Sequence, residues 1–281
     1  MTASQLFFTR HPVLPGFTLS FGLSVLFIGL VILLPLSALF LYTSDLGWQE
    51  YWSIVSNPRV VATYRITLAA AFWASLINAA LGLLLAWVLV RYRFPGRRLM
   101  DSLVDLPFAL PTAVAGITLS TLFASNGWLG QGFDWFGIKI AYAFPGIVIA
   151  MSFTSLPFVV RAVQPVLEDL GPEYEEAAHT LGATQGQAFR HVVLPHLRPA
   201  LLTGTALAFI RSLGEFGAVI FIAGNLPFET EITSLMIFVR LQEYDYPAAT
   251  AIASVVLLAS LVLLFGVQWL QGRYLIRLRG G

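Results

Sequence analysis

The sequence contains no cysteine and a single lysine, Lys139. The first absence excludes disulfides, thiolate metal sites and cysteine nucleophiles. The second excludes a Walker A loop, which needs Gly-Lys-Ser/Thr after a glycine-rich turn, because Lys139 stands in Gly-Ile-Lys-Ile. Charge of either sign is scarce: 11% of the 281 residues are charged, less than half the share in an ordinary soluble domain. That charge nearly cancels, 16 basic against 15 acidic side chains, so no broad field exists to attract nucleic acid. What fills the space is apolar: 57% hydrophobic residues and a mean hydropathy of +0.78. A soluble globule of this size has too little interior to hide that much apolar surface. The composition predicts an all-α integral membrane protein with several spans.

A charge at the bilayer centre costs about 2.5–3.5 kcal/mol on the insertion scale, so charge-free runs of about 20 residues mark the spans. Six spans are expected, five on charge-free runs and the fifth on a run that holds two charges. They are 11–44 with its apolar heart at 21–42, the stretch between Arg65 and Arg91, 106–124, 141–160, 199–224, and the stretch between Asp245 and Arg273. The first run is longer than the apolar region of a signal peptide, so an uncleaved helix is expected there.

The basic residues are unevenly shared between the two sets of span ends. Arg10, Arg91, Arg93, Arg97, Arg98, Arg161, Arg190, Arg198, Arg273, Arg277 and Arg279 lie at one set. Arg59, Arg65, Lys139 and Arg240 lie at the other, and Arg211 falls inside a span. The positive-inside rule then puts both termini in the cytoplasm, as an even number of spans requires. Pro35, Pro107, Pro111, Pro145 and Pro157 punctuate the spans, either as kinks or as prolines that membrane helices tolerate.

The segment at about 164–198 is long and polar in an otherwise apolar chain. Gly171-Pro172 suits a helix start, and Glu173, Glu175 and Glu176 follow in the first turns, where the helix dipole favours negative charge. Gly182 is placed to end that helix. Thr184-Gln185-Gly186-Gln187 has the spacing of a capping box opening a second short helix, expected to end before Leu194-Pro195.

Glu176-Ala177-Ala178, Gly182 four positions further on, and the ending Val192-Val193-Leu194-Pro195 resemble the EAA motif of ABC importer permeases. The resemblance implies a type I ABC importer permease fold: one transmembrane domain over 1–281, of six helices, with this cytoplasmic loop coupling to a separate ATPase subunit. Glu176, Ala177, Ala178, Gly182, Leu194 and Pro195 are the coupling residues it implies. No cofactor or metal is expected in this chain; ATP and Mg would belong to the partner ATPase.

The likeness continues elsewhere. Asp105-Leu106-Pro107-Phe108-Ala109-Leu110-Pro111-Thr112, Gly127-Trp128-Leu129-Gly130, Leu156-Pro157-Phe158-Val159-Val160-Arg161 and Arg211-Ser212-Leu213-Gly214-Glu215-Phe216-Gly217 are similar to the sulfate permeases of the CysT type. The Ala-Leu-Pro-Thr run favours that type over the paired CysW type. Molybdate permeases, which share Leu-Gly-Glu-Phe-Gly but are typically shorter, are the alternative. The resemblance implies import of sulfate or thiosulfate across the bacterial inner membrane. It also implies a CysW-type second permease, two ATP-binding subunits and a periplasmic sulfate-binding protein as partners, with membrane lipid around the spans and no nucleic acid.

Arg211 lies about 12 residues, or about 18 Å, into the fifth expected span, with Glu215 one helical turn later. Such charges must pair or face a wet pathway. They either line the translocation route as a contact or gate, or form a buried ion pair that fixes helix packing. The outward loop 225–246 carries Glu229, Glu231, Glu243 and Asp245 against Arg240, and its apolar stretch 232–239 is too short to span. It is either an interfacial or re-entrant segment, or a packing loop. A stand-alone secondary transporter would need its own coupling-ion residues, often in inverted repeats, and the sequence has no such repeat.

Overall fold

The computed structural model describes residues 17–279, and among them every regular element is helical. The chain termini, with Arg10 and His11, lie outside the described residues. The first helical run consists of α1 (Phe17–Ile28) and α2 (Leu34–Ser44), joined through a wide turn, and leads to α3 (Trp48–Val55). Then come α4 (Pro58–Arg91), α5 (Arg97–Val104), α6 (Leu106–Ala109), α7 (Thr112–Phe123) and α8 (Gly130–Asp134). The second half holds α9 (Phe144–Asp169), α10 (Glu173–Thr180), α11 (Gln185–Ala188), α12 (Leu194–Leu213), α13 (Val219–Ile222), α14 (Thr233–Gln242) and α15 (Tyr246–Arg279).

Five helical runs are long and apolar enough to cross a membrane: Leu19–Ser44, Pro58–Arg91, Phe144–Asp169, Gln185–Leu213 and Tyr246–Trp269. The third expected span is interrupted. Pro107 opens the short α6, Leu110 takes an extended conformation before Pro111, and α7 restarts with 12 residues. The residue before a proline avoids the helical region, which accounts for the break. The fifth expected span also differs. Its helix ends at Leu213 rather than running to Gly224, and residues 214–218 are irregular before α13.

The core is built on α4, α9 and α12. Along α4, Thr63, Thr67, Ala70, Ala74, Asn78, Gly82 and Ala86 are buried at helical spacing, while Leu68, Phe72, Leu76 and Leu84 are exposed on the other side. Lipid tails are as apolar as leucine, so small residues on the buried stripe serve close packing rather than hydrophobic burial. Val159 of α9 sits between two glycines. A Cβ on Gly82 would lie 2.8 Å from its side chain, and one on Gly204 would lie 2.8 Å from its Cα. Asn78 donates to Ser155 Oγ at 2.9 Å and to the Ser152 carbonyl, and Ser212 donates to the same Ser155 at 3.1 Å. These polar contacts set the rotation of three helices about one point. Towards one end, α14 is held by Thr233 N–H donating to Thr67 Oγ1 at 2.9 Å, and by Glu231 accepting two hydrogen bonds from Arg59. The 225–246 loop thus packs into the bundle through a 10-residue helix that is too short to span.

Candidate coupling and translocation site

The polar segment starts where α9 ends. Gln164–Asp169 form the last turns of α9 and Leu194–Arg198 the first turns of α12, so both margins of the 164–198 stretch are helical. Between them α10 runs from Glu173 to Thr180, with Glu173, Glu175 and Glu176 in its first turn as the dipole favours. Its end is a Schellman turn: Ala183 N–H bonds to the Ala178 carbonyl at 3.0 Å and Gly182 N–H to the His179 carbonyl at 2.9 Å. Gly182 takes φ +86°, the left-handed conformation such a turn requires. The four-residue interval from Ala178 to Gly182 is therefore the interval between the third-last helical residue and the glycine that closes the turn.

The capping box is present. Thr184 Oγ1 accepts from Gln187 N–H, and Gln187 Oε1 accepts from Thr184 N–H at 2.8 Å. The second helix, however, does not stop before Leu194-Pro195. It continues through a wide turn, Phe189–Val193, into α12, making one run from Gln185 to Leu213. The cause is Pro195, which has no N–H to offer. Leu194 N–H reaches back five residues to the Phe189 carbonyl, and that widened turn takes the proline in without ending the helix.

The motif residues divide by exposure. Glu176 and Ala177 are exposed, and the Glu176 side chain makes no hydrogen bond or ion pair among the described residues. Ala178 and Gly182 line a shallow hollow of about 400 Å³ whose rim carries Leu181, 88% exposed. Leu194 and Pro195 are half-buried, flanked by Val193 and Leu197 in the core with Leu167 and Leu170. So the glutamate, one alanine and the hollow face outward, whereas the Leu-Pro end anchors the element to α9.

Arg211 stands in the last turn of α12 and Glu215 lies beyond it, in the irregular segment rather than on the same helix. The two still meet, Arg211 Nη1 to Glu215 Oε2 at 2.8 Å. No N–H is aimed along that line, so the contact is electrostatic rather than a directed hydrogen bond. Glu215 is 1% exposed, and its Oε1 accepts from Ala218 N–H at 3.1 Å. Its own carbonyl accepts from Ser234 Oγ. The Arg211 side chain remains 35% exposed. A cation near a helix C-terminus is favourable, and the carboxylate satisfies the amide of the segment that follows. Glu215 thus stitches the helix break together, and Arg211 is the member of the pair that reaches the surface.

Two further ion-pair clusters, at the same end as the polar segment, were not anticipated from the sequence. Arg91 bonds Glu175 Oε1 at 2.8 Å. Arg161 bonds Asp101 Oδ1 at 2.6 Å and both oxygens of Asp105, at 2.9 and 2.6 Å. The one local signal was the four-residue spacing of Asp101, in α5, and Asp105, just beyond its end. Among the described residues no cluster of three or more His, Asp and Glu could hold a metal ion. His179, His191 and His196 each turn Nδ1 to a main-chain carbonyl four residues away.

Residues 78–280 match the family described as the binding-protein-dependent transport system inner membrane component. The chain belongs to this family. As a binding-protein-dependent permease it is a non-enzymatic membrane subunit, and both the polar loop and the Arg211–Glu215 pair lie within the matched residues. It is 66% identical over 262 residues to the sulfate transport system permease protein CysT of Salmonella typhimurium, covering 93% of this chain and 95% of that one. It is 64% identical to CysT of Escherichia coli over the same shares. It is 48% identical to CysT of Synechocystis over 88% of this chain and 87% of that one. Among solved structures, a bacterial alginate ABC transporter in complex with alginate pentasaccharide-bound periplasmic protein superposes with a TM-score of 0.75. That match covers 92% of this chain and 95% of the other at 19% identity. The MetNI methionine ABC transporter matches with a TM-score of 0.56 over 82% of this permease and 97% of its own chain, also at 19% identity. The permease therefore has the type I ABC importer permease fold.

Proposed function

We propose that this permease is one of two membrane subunits of an ATP-driven sulfate and thiosulfate importer, forming half of its translocation pathway. The observation that carries the proposal is the 66% identity to the Salmonella CysT across 93% of the chain, which spans both the bundle and the polar loop. Its partners in this reading are a CysW-type permease, two copies of an ATP-binding subunit and a periplasmic sulfate-binding protein. ATP and Mg are held by the ATPase copies.

The chain forms one permease domain that crosses the bacterial inner membrane six times, with the broken α6–α7 region as the third crossing and both termini cytoplasmic. The lopsided arginine distribution supports that orientation. Glu176, Ala177, Ala178 and Gly182 meet a groove of the ATPase subunit: the alanines leave a flat helix face, and the unpaired Glu176 supplies an ion pair or hydrogen bond. Leu194 and Pro195 hold that element against α9. Arg211, half exposed beside its buried partner Glu215, borders the path taken by the anion. Closure of the ATPases would draw the coupling helices of the two permeases together and turn the bundle between inward- and outward-facing states.

The test is rescue of a sulfate-uptake-deficient strain, assayed separately with sulfate, thiosulfate and molybdate, alongside co-purification of an ATPase subunit. Growth restored on sulfate and on thiosulfate, together with co-purification, is expected. Uptake of molybdate with no growth on sulfate or thiosulfate would reassign the substrate, and uptake without any ATPase subunit would overturn the coupling scheme.

A further inference from the structure

Arg91 is the last residue of α4, and its guanidinium is shared among separate elements. Nε donates to Glu175 of α10 at 2.8 Å. Nη1 donates to the Leu167 carbonyl at 3.1 Å and Nη2 to the Leu170 carbonyl at 2.6 Å, both at the end of α9. The last carbonyls of a helix have no partner within it, and a cation placed there also meets the negative end of the dipole. The guanidinium lies 5.6 Å from the ring centre of Trp87. Trp87 in turn packs edge-on against Phe189, centroids 5.2 Å apart, where the wide turn into α12 begins. The ion pair is well covered, with Arg91 13% and Glu175 20% exposed. The neighbouring Arg93, Arg97 and Arg98 make no side-chain hydrogen bond or ion pair among the described residues.

Two adjacent glutamates therefore face opposite ways: Glu176 outward, and Glu175 into the bundle. Covalently, α10 is joined to α9 through only Leu170, Gly171 and Pro172, none of them helical. Such a joint would bend under load. Arginine can brace it because its planar fork carries donors in several fixed directions, whereas a lysine ammonium is a single point on a flexible stem.

We propose that Arg91 is the positioning residue of the coupling element. It locks α10 to the cytoplasmic ends of α4 and α9, so that a displacement of α10 passes into both helices as one body instead of being absorbed at residues 170–172. This inference rests on the coupling role assigned to α10 above. The glutamate that receives the force and the glutamate that transmits it are then neighbours in the chain with separate tasks.

The experiment uses the importer with its ATPase and binding-protein partners in proteoliposomes, and reads ATP hydrolysed per sulfate carried. Arg91→Lys and Glu175→Gln should each raise that ratio about tenfold, as expected for loss of a hydrogen bond between charged groups. The double variant should be no worse than the worse single one, because both remove the same contact. If Arg91→Lys yields no complex, Glu175→Gln decides, since it leaves both carbonyl contacts of Arg91 in place. An unchanged ratio in Glu175→Gln overturns the latch. Glu176→Lys separates the two ideas: if it uncouples the importer while Glu175→Gln does not, the latch alone fails, and if Glu176→Lys is also fully coupled, the coupling site itself is wrong.

Discussion

Replacing Gly182 tests why the coupling element needs a glycine at that position. There are two possible requirements, and the structure separates them. Gly182 adopts φ +86°, and a Cβ built on it meets nothing within 4 Å. The requirement within this chain is therefore conformational and not spatial. An ordinary L-residue in the left-handed region costs about 1–2 kcal/mol, whereas Asn visits it routinely. Gly182→Ala should then lower the population of correctly turned loop by about 5–30-fold. Gly182→Val, with its β-branched side chain, should lower it further, and Gly182→Asn should lower it little. The measurements are recovery of the ATPase subunit with the permease after detergent extraction, and sulfate uptake in cells. The expected order of retained function is Gly, Asn, Ala, Val. If Asn is as damaging as Val, space against a partner rather than backbone conformation governs the site. If Val transports normally, the Schellman turn is dispensable and the derivation of the motif's spacing is wrong.

Other outcomes follow from contacts of the bundle. Gly116→Ala would place a methyl 2.8 Å from the Ala218 Cα, backbone that cannot rotate away. Overpacking of about 1–3 kcal/mol should lower the melting temperature by several degrees, while Gly132→Ala, where a methyl meets open space, should leave it unchanged. Arg59→Ala strands Glu231, whose side chain is 2% exposed. Breaking a buried pair costs about 3–5 kcal/mol, and the 40% exposure of Arg59 reduces the expectation to about 1–2 kcal/mol, partly recovered by adding Glu231→Gln in thermal melts. The double variant Arg211→Met/Glu215→Gln removes both charges without stranding either, and uptake should be lost while the complex still assembles. Normal uptake would confine the pair to a packing role.

What could be read from the sequence was local. Charge-poor runs located the five long apolar helices, one of them only in part, because the cost of a buried charge acts on each stretch of chain by itself. The α10 start, the Gly182 turn and the Thr184 capping box were legible because each is settled within four or five residues. The expected stop before Leu194-Pro195 failed for a different reason. Proline usually ends a helix, but here a widened turn absorbs it and Val193 and Leu197 are buried against α9, a tertiary gain that the local rule does not contain. The break after Leu213 had a local trace, Gly214 and Gly217 flanking Glu215, yet the hydropathy of the run concealed it. The partner of Arg91 was not legible, and the spacing of Asp101 and Asp105 did not point to Arg161 in particular. Glu175 lies 84 positions from Arg91, and Asp105 lies 56 positions from Arg161. An arginine at a span end looks the same whether it marks topology or braces a joint.

The four-residue separation of Arg211 and Glu215 bears on how the chain enters the membrane. A segment leaving the insertion machinery carries its charges before its tertiary partners have arrived, and each acid or arginine at its centre costs about 2.5–3.5 kcal/mol. Glu231 depends on tertiary docking with Arg59, 172 positions away, but Arg211 and Glu215 neutralise each other within their own stretch. A nascent segment over residues 199–224 is thereby electrically neutral from the outset. Removing one member should consequently impair insertion more than removing both. Glu215→Leu alone should insert less efficiently than Arg211→Leu/Glu215→Leu in a glycosylation-mapped insertion assay, and the opposite ranking would show that the pair forms only after assembly.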